Sequence, residues 1–243
     1  MLTSQYSPHS PSFKKELSGL LKKFPVYKKN IEKLGFTSLP LQDVRELRKT
    51  LVHIQEQAGH FELLVIVGIG GSSLGAQTLI SALGSRQECI FIDNIDPDIV
   101  FEALIKIDRK KTFFIFASKS GETIEVISLA HVIFSKIPEA RKNCIFITDN
   151  PSGTLTKKFA DDKEKIIVSP KNVTGRFSVL SNVGLVPAGL AGLPLEKIIE
   201  GASHTSYKDA YELACYQYLH FKHKKNIAVV FPYCVRLECF VEW

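Results

Sequence analysis

The sequence predicts an α/β protein built on a doubly wound, five-stranded parallel sheet flanked by helices, with a helical segment before it and the start of a second α/β unit after it. Three observations lead there. Between residues 61 and 170, five short runs rich in β-branched and aromatic residues alternate with helical patterns, the grammar of a parallel sheet. Those runs are apolar on successive residues, as strands covered on both faces are. The composition, 45% hydrophobic and 23% charged over 243 residues, supplies enough apolar material for such a core.

The elements follow in order. Phe13, Leu17, Leu20, Leu21 and Phe24 form one helical stripe after Pro11. A second stripe, Leu41, Val44, Leu47, Leu51 and Ile54, is expected to start at Pro40 and stop at Gly59. Strands are predicted at 63–69, 89–94, 112–118, 143–149 and 165–169, with helices at 74–83, 99–105, 122–134 and 154–160 between and after them. Three further helices are expected at 180–190, 195–202 and 209–222. The apolar run 226–233 reads as a strand opening a second sheet, and it would leave an apolar edge exposed and prone to association. The implied division is a helical segment 1–60, a ligand-binding α/β domain 61–204, and an incomplete second domain 205–243.

The formal net charge of +6 favours anionic partners. The lysines, however, fall in short pairs beside amphipathic or turn segments, with no zinc-finger spacing and no aromatic–basic pattern, so no nucleic-acid partner is expected. The five cysteines, Cys89, Cys144, Cys215, Cys234 and Cys239, form no C-x-x-C pair. With no signal-like segment and no long apolar span, they indicate a reduced, cytoplasmic setting without membrane contact. His220 and His223 share a helical face among lysines, which suits a wet surface, and no metal is expected.

Ligands of such sheets sit beyond the carboxyl ends of the strands, so the loops that follow strands carry the chemistry. Gly68-Ile-Gly-Gly-Ser-Ser-Leu-Gly75 follows the first strand and leads into a helix. Its glycines let the backbone approach a ligand, and the helix start offers free N–H groups to an anion. Ser73 stands where a dinucleotide fingerprint needs its third glycine, and Ala76 and Gln77 replace the lysine and hydroxyl residue of a Walker loop, so a nucleotide reading fails on both patterns. Ser118-Lys-Ser-Gly-Glu-Thr123 follows the third strand and offers three hydroxyls at another helix start. A capping box closed by Glu122 or Glu125 would account for the same residues. If the first and third strands are neighbours where the strand order reverses, both helix starts face one crevice. In the segment 173–181, Gly175 allows an unusual turn and Arg176 carries a permanent cation. It can staple loops together or steady negative charge on a substrate oxygen, and the spacing leaves both open.

These segments, together with Asn94-Ile-Asp-Pro97 and Tyr233…Arg236-Leu…Phe240…Trp243, stand in the order seen in the glucose-6-phosphate isomerase family, which the chain resembles over roughly residues 60 to 243. The resemblance implies a sugar-isomerase (SIS) type domain, the N-terminal one of two, completed across a homodimer. It also implies interconversion of glucose 6-phosphate and fructose 6-phosphate through a cis-enediol, with no metal or cofactor. It places Gly71 and Ser72 near the substrate and assigns its phosphate to Ser118, Lys119, Ser120 and Thr123. Arg176 would steady the enediolate. The chain departs from the family pattern at Thr174, where glycine is common, and at Glu122, where threonine is common. It stops at Trp243, before the glutamate that serves the family as base, so the chain alone is expected to bind without turning over. The alternative is a non-catalytic phosphosugar-binding module.

Overall fold

A computed structural model describes residues 11–107, 111–173 and 175–243. After two helices, α1 (Pro11–Leu21) and α2 (Phe24–Ile31), a 3-10 segment Gly35–Leu41 leads to α3 (Arg45–Ala58). The sheet follows: β1 (Leu63–Val67), α4 (Leu74–Leu83), β2 (Glu88–Ile92), α5 (Pro97–Lys106), β3 (Thr112–Ala117), α6 (Ile124–Lys136), β4 (Cys144–Thr148), α7 (Thr154–Phe159) and β5 (Ile166–Val168). Helices α8 (Asn182–Leu190), α9 (Leu195–Ser203), α10 (Tyr207–Lys222) and α11 (Cys239–Glu242) complete the described chain.

All five strands are parallel, in the order β2-β1-β3-β4-β5. This is the doubly wound arrangement expected, and its order reverses between β1 and β3. The unbroken apolar runs are explained by two buried faces. Leu64, Ile66, Phe113, Ile115, Ile145 and Ile147 face a core shared with α3, α4, α8 and α9. Leu63, Val65, Val67, Phe114, Phe116 and Phe146 alternate with them and face a second core made with α5, α6 and α7. Phe116 stacks on Phe146 at 5.5 Å between ring centroids, which ties β3 to β4 on that side. Burial pushes the Cys144 thiol up to about 12, as suits an unreactive core cysteine.

Helices α1 and α10 pack together around Phe13, Leu17, Tyr211, Cys215 and Leu219, a small core of their own. Glu16 on α1 receives Lys222 at 2.6 Å and His223 at 3.2 Å from the α10 end, so the two histidines expected on a wet surface lie at this helix junction. His220 packs at a tilt against Phe13, with ring centroids 5.1 Å apart. Among the described residues, no group of three His, Cys, Asp or Glu could hold a metal ion, and no helix is long and apolar enough to cross a membrane.

Two local expectations are corrected. The second stripe begins its helix at Arg45, not at Pro40, which sits inside the 3-10 segment. Asp43 sets the later start, because its carboxylate accepts the Arg45 N–H at 2.9 Å and the Arg45 side chain at 2.7 Å. The run 226–233 forms no strand. A strand exists only as a paired structure, and with no strand partner for this run among the described residues, Ile227, Val229 and Tyr233 are more than three-quarters exposed. Beyond it the chain folds back onto α4, where Thr78 donates to the Cys239 carbonyl at 3.2 Å and Ser81 to that of Arg236 at 3.1 Å.

Gly184 marks the tightest packing of α8. A Cβ there would overlap the Val179 carbonyl oxygen and come within 2.8 Å of its carbon, backbone on backbone. Gly184→Ala is expected to destabilise the fold by about 1–3 kcal/mol, read from urea denaturation; an unchanged midpoint would show that the segment after β5 is looser than described.

Candidate functional site

Pairing of β1 with β3, in register from Leu63↔Thr112 to Val67↔Phe116, releases their two loops side by side. A Cβ on Gly68 would lie 3.2 Å from the Ala117 carbonyl oxygen, so the loops leave the sheet in contact. Each enters a helix without a side-chain cap. Ser73 at the start of α4 and Thr123 at the start of α6 both make no capping hydrogen bond. The start of neither helix is closed by its cap side chain, and N–H groups in a first turn with the positive end of the helix dipole favour an anion.

The predicted residues fall as follows. Ser118 is fully buried and its hydroxyl lies 2.8 Å from that of Thr123. One proton is shared inside this pair, so one hydroxyl proton remains to donate outward. The Ser120 hydroxyl accepts the Glu122 N–H at 3.1 Å, which likewise leaves its own proton free. Gly121 turns the loop with φ 68°. Lys119 is half-buried, with its ammonium 3.8 Å from Asp149 on the loop after β4. Ser72 is half-buried on the neighbouring loop, where its N–H closes a turn onto the Ile69 carbonyl at 3.2 Å.

Gly71 joins the third segment to the other two. The turn Gly175–Phe177 rests directly on it, such that a Cβ on Gly71 would overlap the Gly175 carbonyl carbon and stand 2.8 Å from the Arg176 nitrogen. Ser178 fastens this contact by donating to the Gly175 carbonyl at 2.6 Å and the Gly71 carbonyl at 3.2 Å. Arg176 is exposed and has no carboxylate partner among the described residues. Ser178 and the backbone hold these two loops together. Thr174 lies outside the described residues.

The capping box is not formed. Glu122 instead reaches across to α7, accepting the Thr154 N–H at 2.9 Å and the Thr154 hydroxyl at 2.5 Å. The Thr154 hydroxyl, its N–H and the nearby Lys157 charge hold the Glu122 carboxyl below the usual range against a small desolvation effect. Sequence reasoning missed the whole loop after β4. Thr148 and Asp149 both bond the Lys119 carbonyl at 3.0 Å, and Asn150 bonds that of Ser120 at 3.0 Å. Its position after a strand was the available signal. Asn94-Ile-Asp-Pro97, in contrast, is a helix start: Asp96 caps α5 through the Asp98 N–H at 2.9 Å, and Pro97 occupies the first helical turn.

The sequence model of one family, phosphoglucose isomerase, matches residues 48–210. The chain is 30% identical over 245 aligned positions to a glucose-6-phosphate isomerase of Carboxydothermus hydrogenoformans, covering 89% of this chain and 52% of that protein. It is 34% identical to the glucose-6-phosphate isomerase of Campylobacter jejuni, covering 86% and 54%. Among solved structures, a hypothetical protein from Thermus thermophilus superposes with a TM-score of 0.70 at 28% identity, covering 95% of this chain and 57% of that one. A glucose-6-phosphate isomerase from Chlamydia trachomatis shares the fold with a TM-score of 0.72 at 23% identity, covering 92% and 53%. The chain thus spans about half the length of the relatives it matches.

Because the atoms facing Gly71 are backbone, they cannot swing aside. Gly71→Ala is expected to push the Arg176 turn off the first loop and lower stability by about 1–3 kcal/mol. Chemical shifts confined to residues 70–73 and 175–178 would mark the effect, and unperturbed shifts at 175–178 would contradict the contact.

Proposed function

The chain belongs to the phosphoglucose isomerase family, and on that premise we propose that it carries the phosphate-binding side of a glucose-6-phosphate isomerase site, with a hexose phosphate as ligand. The observation that carries this reading is the pairing of β1 with β3, which sets two uncapped helix starts and the Gly175–Phe177 turn around one crevice.

A phosphate dianion in the crevice meets backbone N–H groups, the outward protons of the Ser118–Thr123 pair and of Ser120, and the Lys119 ammonium. Such a set of dipoles with one cation satisfies the anion without burying several charges. Gly71 and Ser72 bound the crevice from the other loop. A grip on the phosphate, far from the reacting carbons, supplies binding energy that orients them.

Moving a proton between C1 and C2 develops negative charge on the sugar oxygens, which a fixed cation in a partly dehydrated site stabilises. Arg176 is proposed for that role, since its turn is anchored on Gly71 while its guanidinium has no carboxylate partner among the described residues. The proton itself requires a carboxylate base. The reading assigns that base to the part of the longer relatives that this chain does not span. In the working enzyme, a second copy of the protein is proposed to complete the site.

Titration calorimetry of the 243-residue chain is expected to show binding of glucose 6-phosphate and none of glucose. Ser120→Ala and Thr123→Val should each weaken it about 10- to 150-fold, the worth of one hydrogen bond to a charged group. Equal binding of both sugars would overturn the phosphate assignment. Isomerisation by this chain alone should be negligible; robust formation of fructose 6-phosphate would overturn the placing of the base.

A further inference from the structure

A carboxylate in a loop that grips an anion is out of place on charge alone, since like charges at short range repel. Glu122 nevertheless stands in the middle of the Ser118–Thr123 loop. Both of its oxygens are occupied by Thr154, through the backbone N–H at 2.9 Å and the hydroxyl at 2.5 Å, and its own N–H holds the Ser120 hydroxyl at 3.1 Å. Glu122 thus links a proposed phosphate donor to the start of α7.

The rest of the loop is tied down on that same side. The Lys119 carbonyl accepts the Asp149 N–H and the Thr148 hydroxyl, both at 3.0 Å. The Ser120 carbonyl accepts the Asn150 amide at 3.0 Å, and the Gly121 carbonyl the Leu155 N–H at 2.9 Å. Gly121 and Gly153 meet where a Cβ on Gly153 would stand 2.9 Å from the Gly121 Cα. In a trans peptide the N–H points opposite to the carbonyl. Three successive carbonyls drawn toward the loop after β4 and the start of α7 therefore leave the Ser120 N–H, across the peptide from the Lys119 carbonyl, aimed the other way.

We propose that Glu122 is a positioning residue for phosphate binding: through Thr154 it straps the Ser118–Thr123 loop to the start of α7, so that the loop's carbonyls and the carboxylate itself face away from the anion while its hydroxyls face toward it. Contact with the ligand is not part of this role. The proposal rests on the phosphate-binding reading above, and it adds a residue whose charge is otherwise unfavourable there. The negative charge is incidental, and the two bonds to Thr154 are what matter.

The test compares Glu122→Ala with Glu122→Gln, measuring binding of inorganic phosphate and glucose 6-phosphate to the 243-residue chain. Glutamine preserves both bonds, its carbonyl accepting the Thr154 N–H and its amide donating to the hydroxyl. Glu122→Gln should bind both ligands at least as tightly as the parent, because a repelling charge is gone. Glu122→Ala should bind both about tenfold more weakly, as for loss of a charge-assisted hydrogen bond. Thr154→Val, which keeps the backbone N–H, should fall between them. Melting curves of all three within a few degrees of the parent would confirm folded protein, and rescue by glutamine separates a positioning role from a general loss of stability. Equal or tighter binding by Glu122→Ala would overturn the strap. Weakening by Glu122→Gln as large as that by Glu122→Ala would overturn it too, showing that the charge matters and not the bonds. If the parent chain binds neither ligand, the phosphate-binding reading falls and the strap falls with it.

Discussion

The structure depends on one pairing: β1 lies directly against β3, with β2 displaced to the edge. A parallel strand can join its neighbour only through a crossover, and a right-handed crossover places its helix on a face determined by the direction of travel. Running outward from β1 to β2 and then back to β3, the chain puts α4 on one face and α5, α6 and α7 on the other. At that reversal the loops after β1 and β3 diverge to opposite faces and open a crevice between them. Every polar feature of the site is positioned relative to this gap. The pairing is held by strands whose side chains are buried on both sides, so a slip in register would disturb two cores at once.

Around the crevice, polar groups are divided by direction. Carbonyls of the Ser118–Thr123 loop are satisfied by the loop after β4, while the starts of α4 and α6 lack side-chain caps. In the proposed phosphate site, open donors and closed acceptors would favour an anion without a cluster of cations. Burying many charges would carry a large desolvation cost, whereas backbone dipoles fixed by the fold are already oriented before a ligand arrives. The Lys119 ammonium is itself paired with Asp149 at 3.8 Å, so its charge is held in place.

The apolar surface has its own pattern. Ile227, Val229, Phe231 and Tyr233 lie in one exposed run, between the junction of α1 with α10 and the segment that returns to α4. Phe36 stacks on Phe177 at 4.6 Å beside the Arg176 turn, and Trp243 lines the same apolar cleft of about 330 Å³. Exposed aromatic and branched residues in this number are a feature of surfaces that meet other protein.

Much of the fold was legible in the sequence because it is written locally. Unbroken β-branched and aromatic runs that alternate with helical patterns read as strands with two covered faces, and glycine–serine segments directly after them mark where the chain turns. The five strands and both glycine–serine loops follow from neighbours along the chain. What could not be read locally were contacts between residues distant in sequence. Glu122 reads as a capping residue or a hazard until Thr154, 32 positions later, is brought against it. Thr148 and Asp149 read only as the end of a strand until the Lys119 carbonyl is brought against them, and Asp43 moved a helix start that Pro40 suggested. The run 226–233 has strand composition and no strand, because hydrogen bonding across a sheet needs a second backbone that composition cannot supply. Sequence alone determined the five strands of the sheet and the helices between them; the tertiary structure decided whether the run 226–233 finds a strand partner and which way each polar group faces, since both depend on partners brought together only when the chain folds.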